Sequence, residues 1–183
     1  MYVKRWVMGQ FVPLSKEDSE WVEWVHRSMG QSHCKECLAL DGRWFLKTKA
    51  PQNPHHPFCH CVLSHVDSTV VAKVAKAKSV YSKYDPYLFD PEDFYKHRKN
   101  VMFESWGYTI EDSLWLQEEI QRQALEKYIA GDYKLGKLNG EGQRISIRVE
   151  IPNKRTGGKV SFVTGWMLHE NGLITLTTPY GGK

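Results

Sequence analysis

The sequence predicts an α+β protein in two parts, a small metal-stapled N-terminal module and a domain of helices followed by an antiparallel meander. Three observations predict it. All four cysteines fall in one short stretch, Cys34 to Cys61, as two tight pairs. Two capped, apolar-periodic segments between residues 90 and 131 read as helices. From Gly142 onward the apolar residues alternate with a period of two, which is the signature of strands. The expected organisation is a module over residues 1–66, a linker or helix over 67–85, and an α+β domain over 86–183.

The N-terminus, MYVKRWVMGQFVPL, is apolar but broken by Lys4, Arg5 and Pro13. It has neither the apolar core nor the small-residue cleavage site of a secretory leader, and it reads as a strand or extended arm. Ser15-Lys16-Glu17-Asp18 resembles a capping box. Trp21, Val22, Trp24, Val25 and Met29 follow at helical spacing, and Gly30 can end that helix.

The cysteine stretch comes next. Cys34-x-x-Cys37 and Cys59-x-Cys61 can each turn two sulfurs toward one point. Two such pairs closed by a loop supply the four soft donors that tetrahedral zinc prefers. Asp41-Gly42 is a turn, Trp44 to Leu46 a short strand, and Pro51, Pro54 and Pro57 stiffen the return path. The first-choice ligands are Cys34, Cys37, Cys59 and Cys61, with His56 as the substitute; His33, His55 and His60 stand nearby. Two disulfides or four free thiols are the competing reading. Bridging the neighbours of a C-x-C is sterically poor, and a reducing compartment disfavours such bonds. A module this small has too little core to stand without its metal.

Residues 66–84 are rich in small residues and spaced lysines (Lys73, Lys76, Lys78, Lys83). Ser68 or Thr69 could cap a helix carrying Val71, Val74, Ala75 and Lys78, and a domain boundary is expected near residue 80. Asp90-Pro91-Glu92-Asp93 opens a helix with a cap, a first-turn proline and acids. Phe94, Val101 and Met102 mark its buried side, and Gly107 ends it. Thr109 to Asp112 opens the next, whose stripe is Leu114, Trp115, Leu116, Ile120, Ala124, Leu125 and Tyr128, stopped at Gly131. Then Ile145, Ile147, Val149 and Ile151 alternate with Arg144, Ser146, Arg148 and Glu150. A loop with Thr156-Gly157-Gly158 leads to Val160, Phe162, Thr164, Trp166 and Leu168. Asn171-Gly172 is a strong hairpin signal, and Leu173 to Thr178 return as a third strand.

At 183 residues, 41% apolar and 13% aromatic, the composition is that of a folding chain. A net charge of +4 and a pI near 8.8 are compatible with nucleic acid without arguing for it. No apolar run approaches membrane-spanning length.

The pattern C-x-x-C, Leu40-Asp41-Gly42, then His56-Pro57-Phe58-Cys59-His60-Cys61 resembles the end of the Mu-type phage head morphogenesis family. The resemblance covers about residues 20–65. It implies structural zinc, a place beside the portal or other head proteins, and a virion or bacterial host cytoplasm location. His60 stands where the family usually has arginine, and the family's long helical body is absent. Residues 86–180 resemble an uncharacterised C-terminal domain of bacterial polymorphic toxins. The shared elements are Phe103, Gly107 and Tyr108 closing a Lys/His-bearing helix, Trp166, and the run Leu176, Thr178, Tyr180. The order of helices then sheet is similar to metal-independent ribonucleases of the barnase, EndoU, colicin and RelE type, and implies RNA as a possible substrate.

Metal-free RNA cleavage needs a base for the 2′-hydroxyl, an acid for the leaving oxygen and cations on the phosphorane. His97 is the best acid–base candidate, flanked by Lys96, Arg98 and Lys99. It also stands three residues from Phe94 and four from Val101, where a histidine can simply pack. Arg148, with Arg144, could hold a phosphate from the polar face of its strand, or form an ordinary solvated sheet surface. Thr178 and Tyr180 could supply hydroxyls; threonine is also a good strand residue. His169 is expected at an exposed loop tip. The competing reading is a non-catalytic virion component docking on portal, capsid or neck.

Overall fold

The computed structural model describes residues 20–27, 34–89 and 99–180, together with the backbone of 4–7 and 10–13. It is α+β, as the sequence predicts. The N-terminal arm forms a hairpin of β1 (Lys4–Val7) and β2 (Gln10–Pro13). The expected cap at 15–18, Met29-Gly30, His33, and the helix opening at 90–93 with Phe94, Lys96, His97 and Arg98 lie outside the described residues.

A three-stranded sheet follows in the order β4-β3-β5, from β3 (Trp21–Val25), β4 (Trp44–Leu46) and β5 (Val62–Val66). The helix expected through Trp21 to Val25 is therefore a strand. Its neighbours explain why. β3 is the central strand, and Trp21, Val22 and Trp24 are all buried. A strand covered on both faces carries apolar residues continuously, which imitates a helical stripe in sequence. Helix α1 (Lys35–Leu40) lies between the first two strands, so the turn at Asp41-Gly42 joins a helix to β4 and is not the tip of a hairpin. Gly42 has φ +70°, and a Cβ there would meet Glu170 Cγ at 2.7 Å. Only glycine fits that close approach without displacing Glu170.

Over residues 67–85 the chain forms α2 (Ser68–Val74) and then β6 (Lys76–Lys78). The cap of α2 is Asp67, whose carboxylate accepts from Thr69 N at 2.6 Å, and not Ser68 or Thr69. Lys78 belongs to β6. β6 pairs in parallel with β10, at the edge of a five-stranded sheet ordered β6-β10-β9-β8-β7. Its other strands are β7 (Lys134–Asn139), β8 (Gly142–Pro152), β9 (Lys159–Leu168) and β10 (Leu173–Thr178). The three strands of the meander stand as expected. β7 and β6 were not legible: a bulge between Leu135 and Leu138 spoils the period of two in β7, and β6 is only three residues long.

Helices α3 (Lys99–Ser105) and α4 (Ser113–Ile129) lie between β6 and β7 in the chain. Thr109 to Asp112 opens α4 as expected, and Thr109 and Asp112 form a capping box there. Both helices end in paired bonds that satisfy their last carbonyls. Tyr108 N bonds Phe103 O and Gly107 N bonds Glu104 O; Asp132 N bonds Lys127 O and Gly131 N bonds Tyr128 O. Leu116, Ile120, Ala124 and Tyr128 are fully buried, but Leu114 and Trp115 face solvent. In α3 the buried side is Phe103 and Asn100, while Val101 is exposed. Phe103 meets Phe162, Trp106 and Phe89 edge-on, an aromatic cluster between helix and sheet.

One hydrophobic core joins both parts. Tyr128 donates to Trp44 O at 2.8 Å and meets the Trp21 ring edge-on at 5.2 Å. Tyr133 Oη accepts from Leu46 N at 3.1 Å. At the Asn171-Gly172 turn both residues have positive φ, as a two-residue hairpin requires. A Cβ on Gly172 would lie 2.9 Å from Trp44 Cε3, so the turn is seated against the N-terminal sheet.

Candidate functional site

The metal candidates come together. Cys34 stands just before α1, and Cys37 lies one turn inside it. Cys59 and Cys61 arrive from the proline-stiffened return loop, just ahead of β5. Cys34, Cys37 and His56 have donor atoms within 4.8 Å of one another, and so do Cys37, Cys59 and Cys61. Cys37 is common to both sets. Its sulfur lies 3.8 Å from Cys59 Sγ and 3.2 Å from His56 Nε2. No disulfide joins the four cysteines. These five residues could bind a metal ion.

The surroundings prepare the donors. His56 Nδ1 donates to Pro57 O at 2.7 Å, which leaves Nε2 as the lone-pair nitrogen turned toward Cys37. His55 bonds Glu36 Oε2 at 2.8 Å and so is held away from the ligand role. Burial pushes the Cys37 thiol well up, with hydrogen bonds from Cys61, Cys59 and Cys34 adding to it. Cys61 is raised by burial and by Cys59, while the Trp24 indole opposes the rise. Cys59 is lowered to about 7: burial opposes this, but backbone bonds at His55 and Cys61 favour its thiolate. Trp24 Nε1 is buried beside the Cys61 sulfur, short of full hydrogen-bond geometry. A metal-bound Cys61 thiolate would be a stronger acceptor for that N–H, and an ion would offset the cost of packing thiols together.

The second candidate group lies at the end of β10. Lys99 Nζ donates to Thr178 Oγ1 at 3.1 Å and to Tyr87 Oη at 3.0 Å, and sits 4.9 Å from the centre of the Tyr87 ring. Thr178 donates in turn to Tyr180 O at 2.7 Å. The Tyr180 ring packs on Phe162 with centroids 6.2 Å apart. Lys83 Nζ donates to Thr177 O at 2.9 Å beside them. Thr178 and Tyr180 thus share a cluster, organised by Lys99 and Tyr87. Sequence reasoning put no weight on Tyr87 as a site residue and read Lys99 only as a neighbour of His97. The signal was its place two residues after His97.

Arg148 is not in this cluster. It extends from the exposed face of β8 and donates to Ser161 Oγ at 3.3 Å. The register pairs Ser146 with Gly165 and Gly165 with Thr178. Arg148 is therefore two strands across and two residues along from Thr178, roughly 12 Å away. His97 lies outside the described residues. His169 is half-buried and bonds Thr175 Oγ1 at 2.7 Å, so it is not at the exposed loop tip expected of it. Burial lowers its pKa, and the nearby Arg43 charge lowers it further.

The fold and the site define an α+β protein with a cysteine-rich cluster able to hold a metal. Residues 71–183 match the family described as a domain of unknown function, DUF6883, and the chain belongs to that family. No curated protein and no solved structure matches the chain. The matched span begins within α2 and includes β6 and the whole five-stranded sheet, while the cysteine cluster precedes it. No helix among the described residues is long and apolar enough to cross a membrane.

Proposed function

We propose that the N-terminal cluster is a structural zinc site and that the C-terminal domain cleaves RNA at the Lys99–Thr178 end of the sheet. The protein is then a phage- or prophage-encoded, minor-head-like chain with a toxin-type nuclease domain. Zinc bonds of about 2.3 Å to sulfur and about 2.0 Å to nitrogen set tetrahedral edges of about 3.8 Å and about 3.5 Å. The Cys37–Cys59 separation of 3.8 Å fits the first, and the Cys37–His56 separation of 3.2 Å is close to the second. Cys37, Cys59 and Cys61 with Cys34 make the all-thiolate set; His56 is the nitrogen alternative to Cys34. When bound, zinc supplies a closed cross-link between α1 and the return loop.

The observation that carries the nuclease reading is the Lys99 ammonium, held by two hydroxyls at 3.0 and 3.1 Å. Two of its three N–H bonds are taken up in positioning, and the third can meet a phosphate oxygen. Lys99 would stabilise the charge of the phosphorane. Thr178 fixes Lys99 while being fixed itself by Tyr180 O. His97 would move the proton.

The test is bacterial expression of the wild-type chain, His97→Ala and Lys99→Ala, following growth and total RNA integrity. Arrest with cleaved RNA, relieved by either substitution, supports the reading. Healthy growth with intact RNA in all three refutes it.

A specific observation favours a second reading, a non-catalytic component docking on portal or other head proteins. Ile110, Leu114 and Trp115 expose 47%, 56% and 42% of their surface around the start of α4. Apolar side chains grouped on a surface suit a protein partner. Mass spectrometry of purified particles decides it: absence from virions rules it out.

A further inference from the structure

We infer that the open face of the five-stranded sheet is a docking track for a single strand of RNA, held through its phosphates. This rests on the nuclease reading above and extends it from the reacting end of the sheet to the substrate's path.

The track follows from register and alternation. Ile145, Ile147, Val149, Phe162, Thr164, Trp166, Ile174 and Leu176 are buried toward the helices. Their alternating neighbours occupy the other face. Lys78 pairs with Thr175, Thr175 with Met167, and Met167 with Arg144, one row across four strands in which Met167 is buried and the two cations at its ends are exposed. Arg144 and Lys78 therefore bracket that row, roughly 14 Å apart at the usual strand spacing. Lys134 pairs with Ser146 in the next row. Arg148 extends the line along β8, roughly 13 Å beyond Arg144. Lys76 joins Lys78 on β6, with Ala77 between them turned to the core.

Charge singles this face out. On the helix side three cations are paired: Arg122 bonds Glu119 and Glu126, Lys127 pairs with Asp132, and Lys154 with Asp112. Among the described residues Lys76, Lys78, Lys134, Arg144 and Arg148 take part in no ion pair. The carboxylate sharing the face is Glu150, at the far end of β8 beside Lys159. A surface of exposed, unpaired cations on rigid strands, with its carboxylate at the far end, fits a polyanion. Both arginines can fork onto phosphate oxygens.

The track also leads somewhere. Gly165 and Thr177 adjoin on this face, within 2.9 Å of a Cβ built on Gly165. The bulge between Leu176 and Thr178 then delivers Thr178 to Lys99. A strand lying along the basic rows would reach the reacting cluster at the end of β10. No aromatic side chain stands on these rows, so bases are neither stacked nor read, and binding should be indifferent to sequence.

The test is fluorescence anisotropy of a labelled 12-nucleotide oligouridylate with the full chain carrying His97→Ala, titrated between 50 and 200 mM salt. Adding Arg144→Ala and Arg148→Ala should lower the slope of log K against log salt by about 1.4, at about 0.7 for each phosphate no longer neutralised. Lys76→Ala with Lys78→Ala, on a different strand, should do the same. Lys127→Ala with Lys154→Ala, which removes paired cations from the other side, should leave the slope unchanged. Oligoadenylate should bind as oligouridylate does. Unchanged slopes in both sheet-face variants, or an oligoglutamate peptide binding as tightly as RNA, would overturn the inference. Binding without cleavage by the wild-type chain would sink the nuclease reading alone; cleavage with unaltered binding in the variants would sink this one alone.

Discussion

Tyr128→Phe should weaken both parts of the chain at once. Tyr128 is fully buried, and its hydroxyl donates to Trp44 O at 2.8 Å across the join between α4 and the N-terminal sheet. The substitution keeps the ring, and so keeps the edge-on contact with Trp21 and the tilted one with Tyr133. What it removes is one hydrogen bond, leaving a buried carbonyl short of its donor. That costs about 1–3 kcal/mol. For a chain of this size each kcal/mol lowers Tm by about 2–4 °C, so a fall of about 2–12 °C is expected. Calorimetry should show one transition that moves as a whole, because a single core spans the join. Two transitions, with only the lower one shifted, would refute the shared core. So would a change too small to measure.

Other outcomes follow from the same packing. Gly172→Val should cost more than about 1 kcal/mol, since its φ is +70° and the new Cβ would lie 2.9 Å from Trp44 Cε3; urea unfolding reads it. Stability should fall as pH rises above about 10. Burial holds the hydroxyls of Tyr84 and Tyr108 up to about 12, so the folded state keeps protons that the unfolded state loses. Unfolding midpoints measured between pH 8 and 11 check the sign, and a rise over that range would contradict it. Trp24→Phe removes the buried indole N–H beside the Cys61 sulfur and should lower metal affinity; competition with a chromophoric chelator measures it.

Much of this molecule was legible because local chemistry and global fold agree. The capping box at Thr109, the helix stops at Gly107 and Gly131, the alternation in β8 and β9 and the Asn171-Gly172 turn all stand where their residue types place them. The cysteine spacing foretold a cluster because two short pairs can converge only in a few ways. What failed has a common cause in tertiary context. β3 reads as a helix because it is buried on both faces. β7 hides behind a bulge, and β6 is short and acquires its strand character from β10. The polar cluster was half visible. Thr178 and Tyr180 were named from their order in the chain, but nothing local links Lys99 to Thr178, which is 79 residues away. Arg148 carried the right chemistry for phosphate, yet its register sets it on the open sheet face, away from that cluster.

The most direct measurement is the metal content of the purified chain, by inductively coupled plasma mass spectrometry, beside that of Cys37→Ser. Cys37 is the residue common to both donor sets. One zinc per chain in the wild type, falling to near zero in Cys37→Ser, is the expected result. A wild-type chain purified without chelator that holds no zinc, or a Cys37→Ser chain that retains it in full, would contradict the zinc centre.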